Sequence, residues 1–163
     1  MSSPPDGGIK VRLAQPGETG AVSALIGRAL REVNARDYPA SVILRMTAYF
    51  GPERIAALMT ERRLYVALVA GEVVGTASLA RREAHTVFVR PDMHGRGVGR
   101  ALMDRVEGLA RRRGVAALVV NASITAEGFY RRRGYVKLRD QVHGEERTLV
   151  MEKTLTGRRQ RTA

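Results

Sequence analysis

The chain's 163 residues, 44% of them hydrophobic, suffice for one sizeable core and are short for two, so a single domain is expected. Cysteine is absent, which excludes a disulfide framework, a thiolate metal site and a cysteine nucleophile. The formal charge of +12 is carried by arginines scattered through every segment, with only Lys10, Lys137 and Lys153 as lysines; this argues against nucleic-acid binding as the main purpose and suits a phosphorylated ligand.

The polar, proline-bearing stretch Met1 to Gly8 lacks a signal-peptide core. Residues 1–8 are expected to form a flexible N-terminus before a domain over 9–155, with a basic flexible tail over 156–163. Ile9 to Leu13 reads as a first strand. After the break at Gln15-Pro16-Gly17, Val22, Leu25, Ile26, Ala29, Leu30 and Val33 keep helical spacing, predicting an amphipathic helix from about Glu18 to Asn34. Pro39 opens a second helical stretch with Ile43, Met46 and Phe50, and Gly51-Pro52 opens a third with Ile55, Leu58 and Met59.

The pattern changes at Leu64. Leu64 to Ala70 and Val73 to Leu79 flank Gly71-Glu72 as in a tight antiparallel hairpin. Leu64 to Ala70 is also the longest apolar run, far below the ~20 residues that span a bilayer, so no membrane association and a cytoplasmic location are expected. A strand from Glu83 to Val89 follows, then a glycine-rich loop and a helix carrying Val98, Leu102, Val106 and Leu109. Beyond Gly114 come a strand from Ala116 to Asn121, a short helix from Thr125 to Arg133, a strand opened by Gly134-Tyr135 and a last strand over Thr148 to Lys153. The order implies a mixed α/β or α+β domain.

Gly95, Gly97 and Gly99 alternate just before an apolar helical run. Glycines there let the backbone approach a ligand, and the first amides of a helix have no intrahelical acceptor, so a pyrophosphate is a natural occupant. A Walker loop is excluded because Arg100-Ala101 follows Gly99, where Lys and Ser or Thr are required. A dinucleotide-binding fingerprint fits poorly: its third glycine falls one residue later, and the next strand ends on Asn121 and not on an acid. His85, His94 and His143 are dispersed, so no metal is expected.

The segment from Val87 to Leu102, with His94-Gly95-Arg96-Gly97-Val98-Gly99 at its center, resembles the Q/R-x-x-G-x-G/A signature of the GNAT superfamily of N-acetyltransferases, with His94 in place of the usual Gln or Arg. A second stretch, Asn121 to Tyr135, resembles that family's A-x-x-F/L-Y-x-x-x-G-F/Y ending. The resemblance implies a central, mostly antiparallel sheet of six to seven strands with helices on both faces, and acetyl-CoA bound where the parallel strands Glu83 to Val89 and Ala116 to Asn121 splay apart. It implies that the backbone of Val87, Phe88 and Val89 bonds the pantetheine. By the same resemblance the loop His94, Gly95, Arg96, Gly97, Val98, Gly99 and Arg100 is expected to take the pyrophosphate, and Tyr130 occupies the general-acid position. Asn121 and Ser123, at the mouth of the second strand, are candidates to bond the cofactor or a catalytic water, with simple turn chemistry at a strand end as the equal alternative.

The general base is left open between Glu83, His85 and an ordered water. Strict alternation puts Glu83, His85, Val87 and Val89 on one face. Tyr38 and Tyr49, with Phe50, are candidates to line the acceptor site. The expected activity is acetyl transfer to a primary amine of a small molecule or peptide. The alternatives are a silent acyl-CoA-binding sensor and a basic nucleic-acid module, and pairing as a homodimer is left open. The arginine-rich surface is expected to disfavour cationic acceptors, unless Glu32, Asp37 and Glu53 gather at the cleft.

Overall fold

The computed structural model describes residues 8–156. The expected flexible ends therefore lie outside the described residues, apart from Gly8 and Thr156. Seven strands form one sheet: β1 (Lys10–Leu13), β2 (Arg63–Val69), β3 (Glu72–Ala80), β4 (Glu83–Val89), β5 (Ala117–Ser123), β6 (Val136–His143) and β7 (Glu146–Thr154). Their order is β1-β2-β3-β4-β5-β7-β6, and every neighbouring pair is antiparallel except β4 with β5. Five helices cover the sheet: α1 (Thr19–Glu32), α2 (Ala40–Tyr49), α3 (Pro52–Glu61), α4 (Val98–Arg112) and α5 (Glu127–Arg132).

Each face has its own apolar cluster. Val22, Ile26 and Leu30 of α1, Val42 of α2 and Ile55 and Leu58 of α3 pack on Leu64, Val66 and Leu68 of β2. On the opposite face Val98, Leu102, Val106 and Ala110 of α4 pack on Val74, Leu118, Val120 and Met151. The helical spacing read from the sequence is the spacing of these contacts. The β2–β3 turn is Ala70-Gly71, one residue earlier than the sequence suggested, with φ of 52° and 78°. Two successive positive φ values make the tight turn that matches strand twist.

Two irregularities shape the center of the sheet. Thr76 pairs with Phe88 and Ser78 with His85, so Ala77 faces two residues of β4, and the extra residue Thr86 has φ 55°. This bulge is held by the Ser78 hydroxyl, which donates to the His85 carbonyl at 3.0 Å and lies 3.2 Å from Thr86 Oγ1. A bulge inverts the alternation beyond it. Strict alternation is therefore corrected: Val87 and Val89 pack with α4, whereas Phe88 joins His85 on the side of α1 to α3. The second irregularity is the brevity of the parallel ladder, which pairs only Glu83 with Val119 and Ala84 with Val120. Past those pairs the strands diverge. Among the described residues no helix is long and apolar enough to cross a membrane.

Candidate active site

The divergence of β4 and β5 opens a cleft of about 1020 Å³ that passes between the strands and reaches both faces of the sheet. Its lining includes His85 to Val89 of β4, Val120 to Ser123 of β5, the loop residues His94, Gly95 and Gly97, and the first residues of α4. Where two strands part, their inward backbone groups lose their ladder partners, and a ligand that offers amides can restore them.

The glycine loop delivers α4 to the edge of this cleft. Gly97 caps the helix with φ 86° and Gly95 has φ 75°, both in the left-handed region that penalises a Cβ. The helical bonding begins only at Ala101, whose N–H donates to the Gly97 carbonyl at 3.0 Å. The N–H groups of Val98, Gly99 and Arg100 precede it and have no acceptor within the helix, at the positive end of its dipole. Gly99 has a further reason to be small, since a Cβ there would lie 3.1 Å from the Phe129 ring of α5. These features fit a diphosphate. His94 lines the cleft, and its Nε2 lies 3.2 Å from the Val89 carbonyl oxygen, tying the loop back to β4. Arg100 lines the cleft and Arg96 does not.

Tyr130 lies on α5 and forms part of the cleft wall at 4% exposure. Its ring meets Phe129 at 5.1 Å and Tyr135 at 5.3 Å, edge to face in both cases. Burial pushes its phenol well above the ordinary range, with Arg133 opposing and Glu107 adding, so the hydroxyl keeps its proton at neutral pH. Behind it stands a carboxylate that sequence reasoning missed. Glu107 of α4 is 2% exposed and accepts from Lys153 Nζ at 2.7 Å, from the Tyr135 hydroxyl at 2.8 Å and from Arg133 Nε at 3.1 Å. One buried acid thus joins α4, the end of α5, β6's entry and β7. A signal was present: Glu107 sits on the buried stripe of α4 with Met103, Val106 and Ala110, where an ionised side chain needs partners.

The base candidates separate. His85 lines the cleft, whereas Glu83 stands outside it, half exposed, with Oε2 3.2 Å from His85 Nε2. Burial lowers the His85 pKa, Arg62 lowers it further, and Glu83 opposes both, so the ring is neutral at pH 7. The acceptor candidates separate too. Tyr38 borders the cleft, but its hydroxyl is already engaged, donating to the Arg147 carbonyl and accepting from the Ile124 N–H at 3.0 Å. Tyr49 lines a separate surface hollow and takes a hydrogen bond from Arg54 at 3.0 Å; Phe50 is the residue that faces the cleft. Asn121 is exposed within β5, which runs two residues past the end expected from the sequence, and the Ser123 hydroxyl at the strand's end caps the following turn by accepting from the Ala126 N–H at 3.1 Å. Glu32, Asp37 and Glu53 do not line the cleft. Among the described residues no group of three or more His, Asp or Glu is placed to hold a metal.

The family profile for the acetyltransferase (GNAT) domain matches residues 34–155. The chain belongs to the GNAT acetyltransferase family. It is 27% identical over 133 residues to the uncharacterized N-acetyltransferase YafP of Escherichia coli K12, spanning 82% of this chain and 85% of YafP. A GCN5-related N-acetyltransferase from Rhodopseudomonas palustris superposes with a TM-score of 0.84 at 29% identity, covering 94% of this chain and 97% of that one. The PaiA N-acetyltransferase of Thermoplasma acidophilum, solved in complex with coenzyme A, shares the fold with a TM-score of 0.76 at 13% identity, covering 90% and 99%. The glycine-capped start of α4, beside the point where β4 and β5 part, is where this GNAT chain carries the sequence signature.

Proposed function

We propose that the protein transfers an acetyl group from acetyl-CoA to a primary amine by direct attack. The observation that carries this reading is the juxtaposition of the acceptor-free amides of Val98, Gly99 and Arg100 with the opened β4–β5 pair and the buried Tyr130 phenol. The amides at the start of α4 hold the diphosphate, with Arg100 beside it, and the freed backbone of Val87 to Val89 orients the pantetheine arm. Acetyl-CoA supplies the activated acyl group; the chain supplies placement and proton movement.

In the transfer, a C–N bond forms as the C–S bond breaks. Tyr130 gives its proton to the departing thiolate, and the amine's surplus proton passes to His85, directly or through a water. A raised phenol pKa does not disqualify Tyr130, because the same desolvation penalises the thiolate and keeps donor and acceptor matched. His85 suits the base role better than Glu83 because it lines the cleft and is neutral.

Calorimetry with acetyl-CoA and assay of amine-dependent thiol release test the reading together. Tyr130→Phe is expected to retain acetyl-CoA affinity and to lower kcat by about 100-fold or more, the low end of general-acid effects. Unchanged kcat in that variant overturns the role of Tyr130. Binding of acetyl-CoA without thiol release for any amine favours a silent sensor instead.

A further inference from the structure

We infer that the acceptor is a monoamine carried on a compact apolar body, aromatic or branched, seated on the face of the sheet that α1 to α3 cover. The inference rests on the acetyl-transfer reading and names its substrate class. It starts from the unequal chemistry of the cleft's two sides. Arg100 and Arg132 lie on α4 and α5, Arg133 caps α5, and Lys153 sits on β7 opposite Leu118 and is bonded to Glu107 of α4. The Lys and Arg residues among the described lining therefore stand on the side that holds the diphosphate amides, while Arg62, outside the lining, donates to Thr86 Oγ1 at 3.1 Å beside His85.

The other side is apolar. Met46 of α2, Phe50 at its end and Phe88 of β4 line the cleft there while only partly buried. Phe88 reaches this side only because the bulge at Thr86 inverts the strand. Phe50 and Phe88 meet edge to face at 5.8 Å, and Tyr49 braces Phe50 from behind at 4.9 Å. A braced aromatic pair presents a rigid wall to an apolar guest, and Met46 adapts its shape beside it. Covering that wall favours a guest with apolar surface to bury.

The polar groups on this side are few and only in part committed: Thr125 donates to Asp37, whereas the side chains of Asn34, Asn121 and Thr148 line the cleft without a hydrogen bond to the protein among the described residues. The hydroxyls of Tyr38 and Ser123 are engaged with backbone groups. Glu146 is the only carboxylate among the described lining residues, and its Oε2 already lies 3.4 Å from Arg45. A polycation finds no set of carboxylates, and a polyhydroxylated body leaves the Phe50–Phe88 wall uncovered. A single amino group, presented toward His85 and Asn121 in its neutral form, needs no such set, and its apolar body covers the wall.

The test compares phenethylamine, isoamylamine, spermidine and glucosamine in the thiol-release assay at saturating acetyl-CoA. The first two are expected to show kcat/KM at least tenfold above the others. Phe50→Ala is expected to raise the KM for phenethylamine about tenfold, to weaken calorimetric binding of N-acetylphenethylamine by a similar factor, and to leave acetyl-CoA affinity unchanged. Should that variant fold poorly, Phe50→Leu gives the same discrimination, with a larger KM rise for the aromatic than for the branched amine. Spermidine or glucosamine turned over as well as phenethylamine overturns this inference and leaves the acetyl-transfer reading standing. Acetyl-CoA binding without thiol release from any amine overturns both.

Discussion

His85 is held in a part of the fold that resists its charging, and this has a consequence in each direction of pH. The ring is partly buried beside Arg62, and both lower its pKa from the ordinary 6.5, against the weaker pull of Glu83. A histidine depressed in the fold favours the neutral form, so its contribution to stability is complete above its unfolded pKa and is lost as pH falls through the folded one. The same shift bears on catalysis. A base must be neutral to accept a proton, so kcat/KM referred to the neutral fraction of the amine is expected to rise with pH along a limb centred below 6.5. Assays of thiol release across pH 4.5 to 8 check this, with His85→Gln expected to abolish that limb and lower kcat/KM by about 10- to 100-fold. A limb that persists unchanged in His85→Gln assigns the proton to water.

At the level of elements, Tyr38 illustrates why proximity to a cleft is not contact chemistry. The residue lies between α1 and α2, and its hydroxyl bridges the Arg147 carbonyl of β7 and the Ile124 amide beyond β5. Tyr38→Phe leaves both backbone groups unpaired and is expected to cost about 1 to 3 kcal/mol in urea denaturation. The amide of Ile124 is expected to exchange with solvent markedly faster, while a role in holding the acceptor predicts a raised amine KM with no such change. The glycine loop and the α4 stripe are legible in the sequence because each depends on local spacing, whereas Tyr130 stands out only through the family resemblance. The sequence concealed the bulge at Thr86, since a slip in register between β3 and β4 arises from pairing that no single strand encodes. The side chains assigned to each face of β4 were misread for that reason. Tyr49 and Phe50 are adjacent on one helical run, and only the packing of α2 against Phe88 decides that Phe50 turns inward. Glu107 was legible in principle, as an acid on an apolar stripe, but its partners Arg133, Tyr135 and Lys153 come from later elements.

Over the whole molecule, the net charge of +12 acquires direction once the fold divides the cleft. Read as an undifferentiated surface, it disfavours any cationic acceptor; read with the fold, the cleft's cations gather on the α4 and α5 side and leave an apolar wall opposite. A field arranged in this way attracts the phosphates of acetyl-CoA from a distance and does little for a monoamine with an apolar body. Exposed charges are screened within about 10 Å at 0.1 M salt and about 3 Å at 1 M. Raising the salt from 0.05 to 0.5 M is therefore expected to weaken acetyl-CoA binding by about 3- to 10-fold, while the KM for phenethylamine stays nearly level. Arg100→Ala is expected to flatten the salt dependence of acetyl-CoA affinity, because it removes a cation beside the acceptor-free amides of α4. An amine KM that climbs with salt as steeply as acetyl-CoA affinity falls contradicts the division of the cleft into a charged cofactor side and an apolar acceptor side.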